Sequence, residues 1–316
     1  MEKMPLVSVC TPVYNGEKHI EDCVKAVLRQ SYKNIEYIIV DNASNDNTAK
    51  IIENYIEKHP QIRVYKNQKT VCMEDNCNIA AQYCSDKTKW IKYAFCDDYL
   101  FPDCIEKMVE VGELDDKIGI ISGYRIAGNI VTNTGLPIDQ NIFSGSEILK
   151  NQILRKLHVA SSSPNTVMYN KRVFYDLKGF NRLYDHSDTE IAFRILDDYK
   201  LGFVHYVITK SGREKGGGEA KSVLSGNKIL EYLDFGYKNI NKYKSITLSQ
   251  DEINYLRNFY SNEIANFIIE KLASKEFQNI KKMIDNAPDE IKKDIRKLIL
   301  SSPFKYIKKF MKFSFR

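Results

Sequence analysis

Short apolar runs alternate with amphipathic segments through the first 122 residues, and this alternation limits the choice of fold more than any other feature of the sequence. The runs 6–10, 36–40 and 90–95 predict buried strands, and the segment 17–30 places its apolar residues on one helical face. Strands that alternate with helices form parallel sheets with right-handed crossovers. We therefore predict an α/β fold whose mostly parallel, mixed sheet is flanked by helices.

The pattern changes after residue 123. Beyond Ser225 the periodicity is helical, with one break at Pro288. We predict two domains, an α/β domain at 1–222 and an all-helical C-terminal extension at 223–316. Between 124 and 225 the sequence predicts a loop-rich region at 124–165 with one helix near 145–156, strands at 166–169 and 203–209, a helix at 187–199 and a flexible stretch at 211–218.

The net charge of +6 is concentrated at one end of the chain. From Lys271 to Arg316, thirteen Lys and Arg stand against five Asp and Glu, so residues 1–270 carry about −2. We therefore expect no nucleic-acid binding by the larger domain. A cytoplasmic protein with reduced thiols is expected, because the chain has no apolar run of membrane-spanning length, no signal-peptide pattern and an odd number of cysteines, seven.

The segment 303–316 predicts a basic amphipathic helix with Pro303 at its first position. On a helical projection the apolar side chains, such as Phe304, Ile307 and Met311, lie opposite the lysines. This arrangement suits an anionic membrane surface, so peripheral association with the inner face of the cell membrane is expected. The alternative is that the apolar face packs against the protein's own helical extension.

Polar segments follow three of the predicted strands at the point where each strand ends. They are 11–16 (TPVYNG), 41–46 (DNASND) and 96–99 (CDDY). One such segment alone is typical of a turn or a helix cap, and Ser44 or Asn45 is predicted to cap the helix that carries Ile51 and Ile52. Because the carboxyl ends of parallel strands share one edge of the sheet, three segments together predict a ligand site.

Asp97 and Asp98 are the most informative pair in these segments. Adjacent carboxylates repel each other unless a cation or several donors compensate them. Hard divalent cations accept one or two carboxylates together with phosphate oxygens, so a metal that bridges a diphosphate would explain the pair. The alternative is that the pair caps the helix that follows Pro102.

The motifs 7–15 (VSVCTPVYN), 38–48 (IIVDNASNDNT) and 97–103 (DDYLFPD) resemble the successive motifs of family 2 glycosyltransferases. The segment 73–78 (MEDNCN) is similar to the Asn-x-Asn helix start of that family. The resemblance covers about residues 5–215, in order, and such a series is more specific than any single motif. It implies a GT-A fold, which is Rossmann-like, a nucleotide-sugar donor and a divalent cation, Mn²⁺ or Mg²⁺.

The resemblance also implies roles for individual residues. The donor-binding set comprises a nucleobase pocket, a carboxylate for the base and groups near the ribose and sugar. Phe95 stands where many relatives have a further Asp. It therefore stays open which of Asp97 and Asp98 binds the ribose and which binds the metal. By motif position the donor site would be formed by Thr11, Pro12, Tyr14, Asn15, Asp41, Asn76 and Asp97, with Asp98 on the metal.

The segment 179–195 is similar to the part of the family that holds the catalytic carboxylate, and by that match Asp188 is the base, with Asp185 and Glu190 as alternatives. One base and in-line displacement would invert the anomeric carbon. Without the resemblance, Ser187 and Glu190 predict a capping box, which is compatible with this role. Arg213, in the glycine-rich stretch, would close over the diphosphate, unless that stretch is a solvated linker.

The sequence thus predicts an enzyme, a metal-dependent and inverting hexosyltransferase that moves a sugar from a nucleotide diphosphate donor, most often a UDP-sugar, to a glycan or lipid-linked acceptor. Two alternatives remain open. A sugar-phosphate nucleotidyltransferase would also combine metal, nucleotide and sugar, although it should carry a Gly-rich, Arg-containing loop after the first strand. A non-catalytic binding protein on a transferase fold would keep the architecture without turnover.

Overall fold

A computed structural model of the chain describes residues 4–160, 163–212, 226–273 and 277–301. The chain divides into two units, Met1–Gly217 and Gly218–Arg316. The predicted boundary at 222, the candidate Arg213 and the basic segment 303–316 lie outside the described residues, and the predictions about them stay predictions.

The first unit alternates strands and helices in the predicted manner. Its strands are β1 (Leu6–Val13), β2 (Ile35–Asp41), β3 (Ile62–Lys66), β4 (Thr88–Tyr93), β5 (Asp98–Leu100), β6 (Ile118–Ala127), β7 (Ile130–Thr132), β8 (Ile142–Phe143), β9 (Met168–Asn170) and β10 (Lys200–Ser211). Its α-helices are α1 (Ile20–Leu28), α2 (Thr48–Ile56), α3 (Met73–Gln82), α4 (Cys104–Gly112), α5 (Gly145–Ile153), α6 (Lys171–Asp176) and α7 (Ser187–Asp198), and a 3-10 turn at Pro164–Thr166 precedes β9.

The described strands form one mixed sheet in the order β3-β2-β1-β4-β9-β6-β10-β5, with β7 beside β6 and β8 beside β10. The long ladders that join β1 to β2 and β4, β2 to β3, and β6 to β10 are parallel. The short ladders, including both ladders of β9, are antiparallel. This confirms the predicted α/β class with a mostly parallel, mixed sheet.

The central strands are apolar because helices cover both faces of the sheet. Val9 of β1 and Ile38 of β2 have no exposed surface. A parallel strand that is buried on both sides appears in the sequence as a nearly continuous apolar run. The last five residues of β2, 37–41, are all buried, and four of them form such a run. The amphipathic helix α1 buries the face that its periodicity predicts, including Ile20, Val24 and Val27.

The region 124–165 is more regular than the sequence predicts. Strand β6 continues to Ala127, and the chain then reverses into β7 through Gly128, whose φ of 59° is left-handed. Glycine adopts this conformation without the steric cost that a Cβ atom brings. Residues 124–127 are only half-buried, so their sequence lacks the apolar run that marked the other strands.

In the second unit, all described secondary structure is helical. Its α-helices are α8 (Gly226–Leu233), α9 (Gln250–Ala273), α10 (Phe277–Asn286) and α11 (Asp289–Ser301), with a π-helical segment at Asp234–Lys238 and a 3-10 turn at Ile240–Lys242. On α9 four of the buried residues recur every four positions, at Leu256, Tyr260, Ile264 and Ile268, and Ala265 and Phe267 widen the buried face.

An ion pair joins two of these helices, because Arg257 Nε of α9 lies 2.6 Å from Asp294 Oδ2 of α11. Helix α11 begins directly after Pro288, where the sequence predicts a break. The predicted helical extension is thus confirmed. Within the described residues, no helix combines the length and the apolar character that crossing a membrane requires.

Candidate active site

The loops that follow β1, β2 and β4 lie at the carboxyl edge of the sheet. Strand β1 is flanked by β2 and β4, and the chain proceeds outward from β2 to β3 before it returns to β4 on the other side of β1. The direction of strand order therefore changes beside β1. In open parallel sheets, ligands bind in the crevice at this point.

Asn15 joins the first two of these loops. Its backbone N–H donates to Ser44 Oγ at 2.9 Å, and its Oδ1 accepts from the backbone N–H of Asn45 at 3.0 Å. Its φ of 48° is left-handed, which asparagine tolerates better than most residues. Ser44 and Asn45 are used in this contact, and helix α2 begins at Thr48, so the predicted cap at Ser44 or Asn45 is wrong.

Asp41 is the last residue of β2, and only 2% of its surface is exposed. Its Oδ1 accepts from the backbone N–H of Ser44 at 3.0 Å, and Lys66 Nζ lies 3.9 Å from Oδ2. Among the described residues, Oδ2 is buried and has no hydrogen-bond partner. A buried acceptor in this state is costly, and a ligand N–H would relieve the cost. Asp41 is therefore a suitable acceptor for a nucleobase.

An asparagine network connects this strand end to helix α3. Asn67 Nδ2 lies 2.9 Å from both Asn42 Oδ1 and Asn76 Oδ1. Asn42 also accepts from the backbone N–H of Val71, at 3.0 Å. Asn76 is 3% exposed, so its side chain holds the loop between β3 and α3. Asn67 has no motif signal, because only the fold brings it between the two motif asparagines.

The first motif places its side chains in different environments. Thr11 is fully buried, and its hydroxyl donates to the carbonyl of Ala94 at 2.8 Å, so it can contribute to a base pocket only through its backbone. Pro12 is half-buried. Tyr14 is 51% exposed at the end of β1, where an aromatic ring is free to stack on a ligand.

Asp98 begins strand β5 and faces a basic residue that belongs to none of the sequence motifs. Its Oδ2 lies 3.9 Å from a terminal guanidinium nitrogen of Arg125, and the two side chains are 7% and 11% exposed. Strand β10 lies between β5 and β6, with Ser211 opposite Asp98 and Thr209 opposite both Leu100 and Arg125. The sheet thus brings together two residues that are far apart in the chain.

The environment of Asp98 suits a bound cation. Burial raises the pKa of this carboxyl, and the charge of Asp97 raises it further, while Arg125 and the N–H of Gly212 lower it. The Gly212 N–H donates to Asp98 Oδ1 at 3.2 Å. No group of three or more His, Cys, Asp or Glu that could hold a metal occurs among the described residues. Two adjacent carboxylates nevertheless fit a hard cation that takes its remaining ligands from phosphate and water.

A buried lysine supports the loop that carries Asp97 and Asp98. Lys92 of β4 is fully buried, and its Nζ donates to the carbonyls of Tyr93, Asn165 and Val167. Burial lowers the pKa of Lys92 to about 8. Asn165 Oδ1 in turn accepts from the backbone N–H of Phe95 at 3.1 Å. The sequence signal for this contact is a charged residue, Lys92, inside an otherwise apolar part of β4.

Helix α7 carries the predicted base, but the predicted capping box does not form. His186 occupies the N-cap position without a side-chain cap bond, and Ser187 is the first helical residue. Glu190 instead binds Arg194 through two contacts of 2.9 and 2.7 Å. The guanidinium is a stronger partner for Glu190 than a backbone N–H, because two of its N–H groups each meet one carboxylate oxygen.

Asp188 lies in the first turn of α7 and is half-buried. Its charge helps, after burial, to raise the pKa of Tyr169 well above the usual range. Tyr169 packs against Phe174 and Phe180, with ring centroids 5.3 and 5.8 Å away. The charge of Asp188 is therefore close enough to this buried aromatic cluster to act on Tyr169.

Known proteins resemble this chain in sequence and in fold. The sequence model of the family described as "Glycosyl transferase family 2" matches residues 8–178. The chain is 26% identical to the chondroitin synthase of Escherichia coli over 181 residues, which are 57% of this chain and 25% of that protein. It is 31% identical to the putative teichuronic acid biosynthesis glycosyltransferase TuaG of Bacillus subtilis over 164 residues, 49% of this chain and 61% of that protein. The matches thus span less than two thirds of these relatives.

Two solved structures share the fold. The S. aureus TarS fragment 1–349 in complex with UDP-GlcNAc has a TM-score of 0.64 at 15% identity, over 90% of this chain and 82% of that one. The mannosyltransferase PcManGT of Pyrobaculum calidifontis, in complex with GDP-Man and Mn²⁺, has a TM-score of 0.58 at 14% identity, over 99% of this chain and 85% of that one. At this level of identity the likeness concerns the fold, and it confirms the GT-A architecture.

Proposed function

The chain belongs to glycosyl transferase family 2, and from this premise we propose that it transfers a sugar from a nucleotide diphosphate donor to a hydroxyl group of a glycan or lipid-linked acceptor. The observation that carries the proposal is the buried Oδ2 of Asp41, which has no hydrogen-bond partner among the described residues and stands in the crevice of the sheet. A base N–H is the donor that this oxygen needs.

The donor is proposed to be a UDP-sugar. The exposed ring of Tyr14 and the half-buried Pro12 supply flat surfaces on which a base can stack, next to the carboxylate of Asp41. The TarS fragment, which shares the fold, is bound to UDP-GlcNAc, whereas PcManGT is bound to GDP-Man, so both nucleotides belong in a first screen.

Asp98, with Asp97 beside it, would hold Mn²⁺ or Mg²⁺. When bound, such an ion neutralises the charge that develops on the departing diphosphate. Arg125, 3.9 Å from Asp98, contributes a fixed positive charge to the same place. The N–H of Gly212 holds the other oxygen of Asp98 and so limits the rotation of the carboxylate.

Asp188 is proposed as the base that takes the proton of the acceptor hydroxyl, with inversion at the anomeric carbon. A carboxylate in the first turn of a helix is stabilised by the helix dipole. Asp185 and Glu190 were the alternatives in the sequence. The engagement of Glu190 with Arg194 leaves that carboxylate less available for proton transfer.

The acceptor class rests on the relatives. The names of the chondroitin synthase and of TuaG refer to the synthesis of polysaccharides, which supports a role in polysaccharide biosynthesis for this chain. A lipid-linked acceptor would give the basic segment 303–316 a purpose at the inner face of the membrane. Binding of full-length protein to anionic vesicles, compared with a truncation after residue 301, tests this part.

The alternatives differ in what they release. A sugar-phosphate nucleotidyltransferase would form pyrophosphate, and the loop after β1 is short and has no arginine, which disfavours it. A non-catalytic protein would bind a nucleotide without turnover. We therefore propose assaying nucleoside diphosphate release from UDP- and GDP-sugars with Mn²⁺.

Asp188→Asn should lower kcat about 100-fold, as expected for loss of a general base, and leave donor affinity within twofold. Asp98→Ala should abolish metal-dependent turnover. Full activity of Asp98→Ala, or the absence of turnover with every common nucleotide sugar, would refute the proposal.

A further inference from the structure

The segment 177–180, here called the bridging turn, is hydrogen-bonded to two helices of the candidate site, α3 and α7. It follows α6 in the chain, and its residues Lys178 and Gly179 have φ values of 61° and 65°, both left-handed. A Cβ atom on Gly179 would lie 2.3 Å from Asn78 Oδ1. The backbone therefore approaches α3 as closely as only glycine allows.

On one side, Asn78 of α3 holds the bridging turn through both halves of its amide. Asn78 Nδ2 donates to the carbonyl of Phe180 at 2.9 Å, and the N–H of Phe180 donates to Asn78 Oδ1 at 2.9 Å. The two residues are separated by 102 positions. This reciprocal pair fixes the two peptide groups that flank Phe180, as paired backbone bonds do between strands.

On the other side, Arg194 of α7 holds the same turn. Its guanidinium donates to the carbonyl of Leu177 and, at 2.7 Å, to the carbonyl of Gly179. Glu190, one helical turn earlier, binds the same guanidinium with both carboxylate oxygens. The pair is 25% and 11% exposed, so it is less screened than a surface ion pair.

These contacts act where packing is incomplete. An open cavity of about 490 Å³ lies against the bridging turn, and Asp75, Glu190 and Arg194 are among its lining residues. The cavity leaves the turn open to solvent on one side, while the ring of Phe180 packs on Tyr169 and Phe174 on the other. The hydrogen bonds of Asn78 and Arg194 therefore add a restraint on the backbone of the turn to the packing of that ring.

We infer that Asn78 is a positioning residue that, through the bridging turn, fixes the first turn of α7 and with it Asp188 relative to helix α3 at the donor site. This inference rests on the proposed function, in which α3 contributes Asn76 beside the donor and α7 contributes the base. A displacement of about 1 Å between reacting groups can cost about 100-fold in rate. The turn thus holds the base at a fixed place relative to the helix that contributes Asn76.

The test compares Asn78→Ala with Asn78→Asp. The alanine variant removes both bonds to Phe180. The aspartate variant keeps the volume and the acceptor for the Phe180 N–H, and it replaces the donor to the carbonyl with an oxygen. Asn151→Ala is the matched control, because Asn151 Nδ2 donates only to Glu147 of its own helix, α5, at 3.0 Å.

In Asn78→Ala we expect kcat to fall about 10- to 100-fold while the Kd for UDP stays within twofold, since the nucleotide contacts are not changed. In Asn78→Asp we expect a smaller fall, and in the control none. A role limited to general stability would lower nucleotide affinity and kcat together. A kcat within twofold of the wild type in both Asn78 variants, or a parallel loss of UDP affinity, would overturn the inference.

Hydrogen exchange provides a readout that does not depend on turnover. In Asn78→Ala, the amides of residues 179–190 should exchange at least tenfold faster than in the wild type, while those of β4 should be unchanged. Unchanged exchange in 179–190 would overturn the inference even if the enzyme is active. If the wild type shows no turnover but exchange responds as expected, the proposed function fails and the structural link stands.

Discussion

Replacement of Asp41 by asparagine tests the donor site most directly. Asparagine retains an acceptor for the Ser44 N–H, which Asp41 Oδ1 engages at 3.0 Å, so the loop after β2 should keep its shape. The other oxygen, Oδ2, has no hydrogen-bond partner among the described residues and becomes an NH₂ group. A base N–H would then face a donor in place of a charged acceptor.

The magnitude follows from the loss of one hydrogen bond to a charged group. Lys66 Nζ is 3.9 Å from Oδ2, but the Lys66 side chain is 60% exposed, so the loss of this ion pair should change the stability of the free protein little. A hydrogen bond to a charged group is worth about 1.5–3 kcal/mol, which corresponds to an increase of about 10- to 150-fold in Kd. The Tm of the nucleotide-free protein should change little, because no bond of the free protein is lost.

Calorimetric titration with UDP and GDP measures this change. Asp115→Asn is the control, since Asp115 binds Lys200 at 2.6 Å at the amino-terminal end of β6, away from the candidate site. The control should bind as the wild type does. If Asp41→Asn binds the preferred nucleotide within twofold of the wild type, Asp41 does not contact the base and the reasoning from its buried oxygen is wrong.

Two further predictions concern the support of the acidic loop. The pKa of Lys92 in the folded protein, about 8, lies below its unfolded value of 10.5, so the unfolded chain binds more protons between these pH values and stability should rise with pH. The free energy of unfolding should be measured by urea denaturation for the wild type and for Lys92→Met. From pH 7.5 to 10.5 the wild-type value should rise relative to that of the variant by up to about 3 kcal/mol. A fall would contradict the lowered pKa of Lys92. A Cβ atom on Gly212 would lie 1.8 Å from the carbonyl oxygen of Asp97, so Gly212→Ala should displace the Asp98 contact and lower kcat/KM about 100-fold. Gly236→Ala, whose Cβ would meet only Tyr260 Oη at 3.3 Å, should leave kcat/KM within twofold of the wild type, and equal activity of the two variants would refute the argument.

Local patterns in the sequence were sufficient to place β1, β2 and β4 to within a few residues, but not to place β5, β7, β8 or the end of β6. Buried parallel strands are apolar along their whole length, and Asp41 and Asp98 stand out because charged residues rarely follow such runs without a purpose. The failed predictions are local as well. The predicted cap of α2 was wrong because Ser44 binds Asn15 in another loop, and the predicted capping box of α7 was wrong because Glu190 binds Arg194, one turn later on the same helix.

The sequence by itself therefore determined the α/β class and the edge of the sheet at which the candidate residues meet, since each of these depends on neighbours within a few positions. Only the tertiary structure decided which groups meet. Arg125 lies near Asp98 because β10 pairs with the strands of both residues. Asn78 holds Phe180 across 102 positions. Such pairs leave no periodic signal, because they arise from the order of strands and the packing of helices, to which distant segments contribute together.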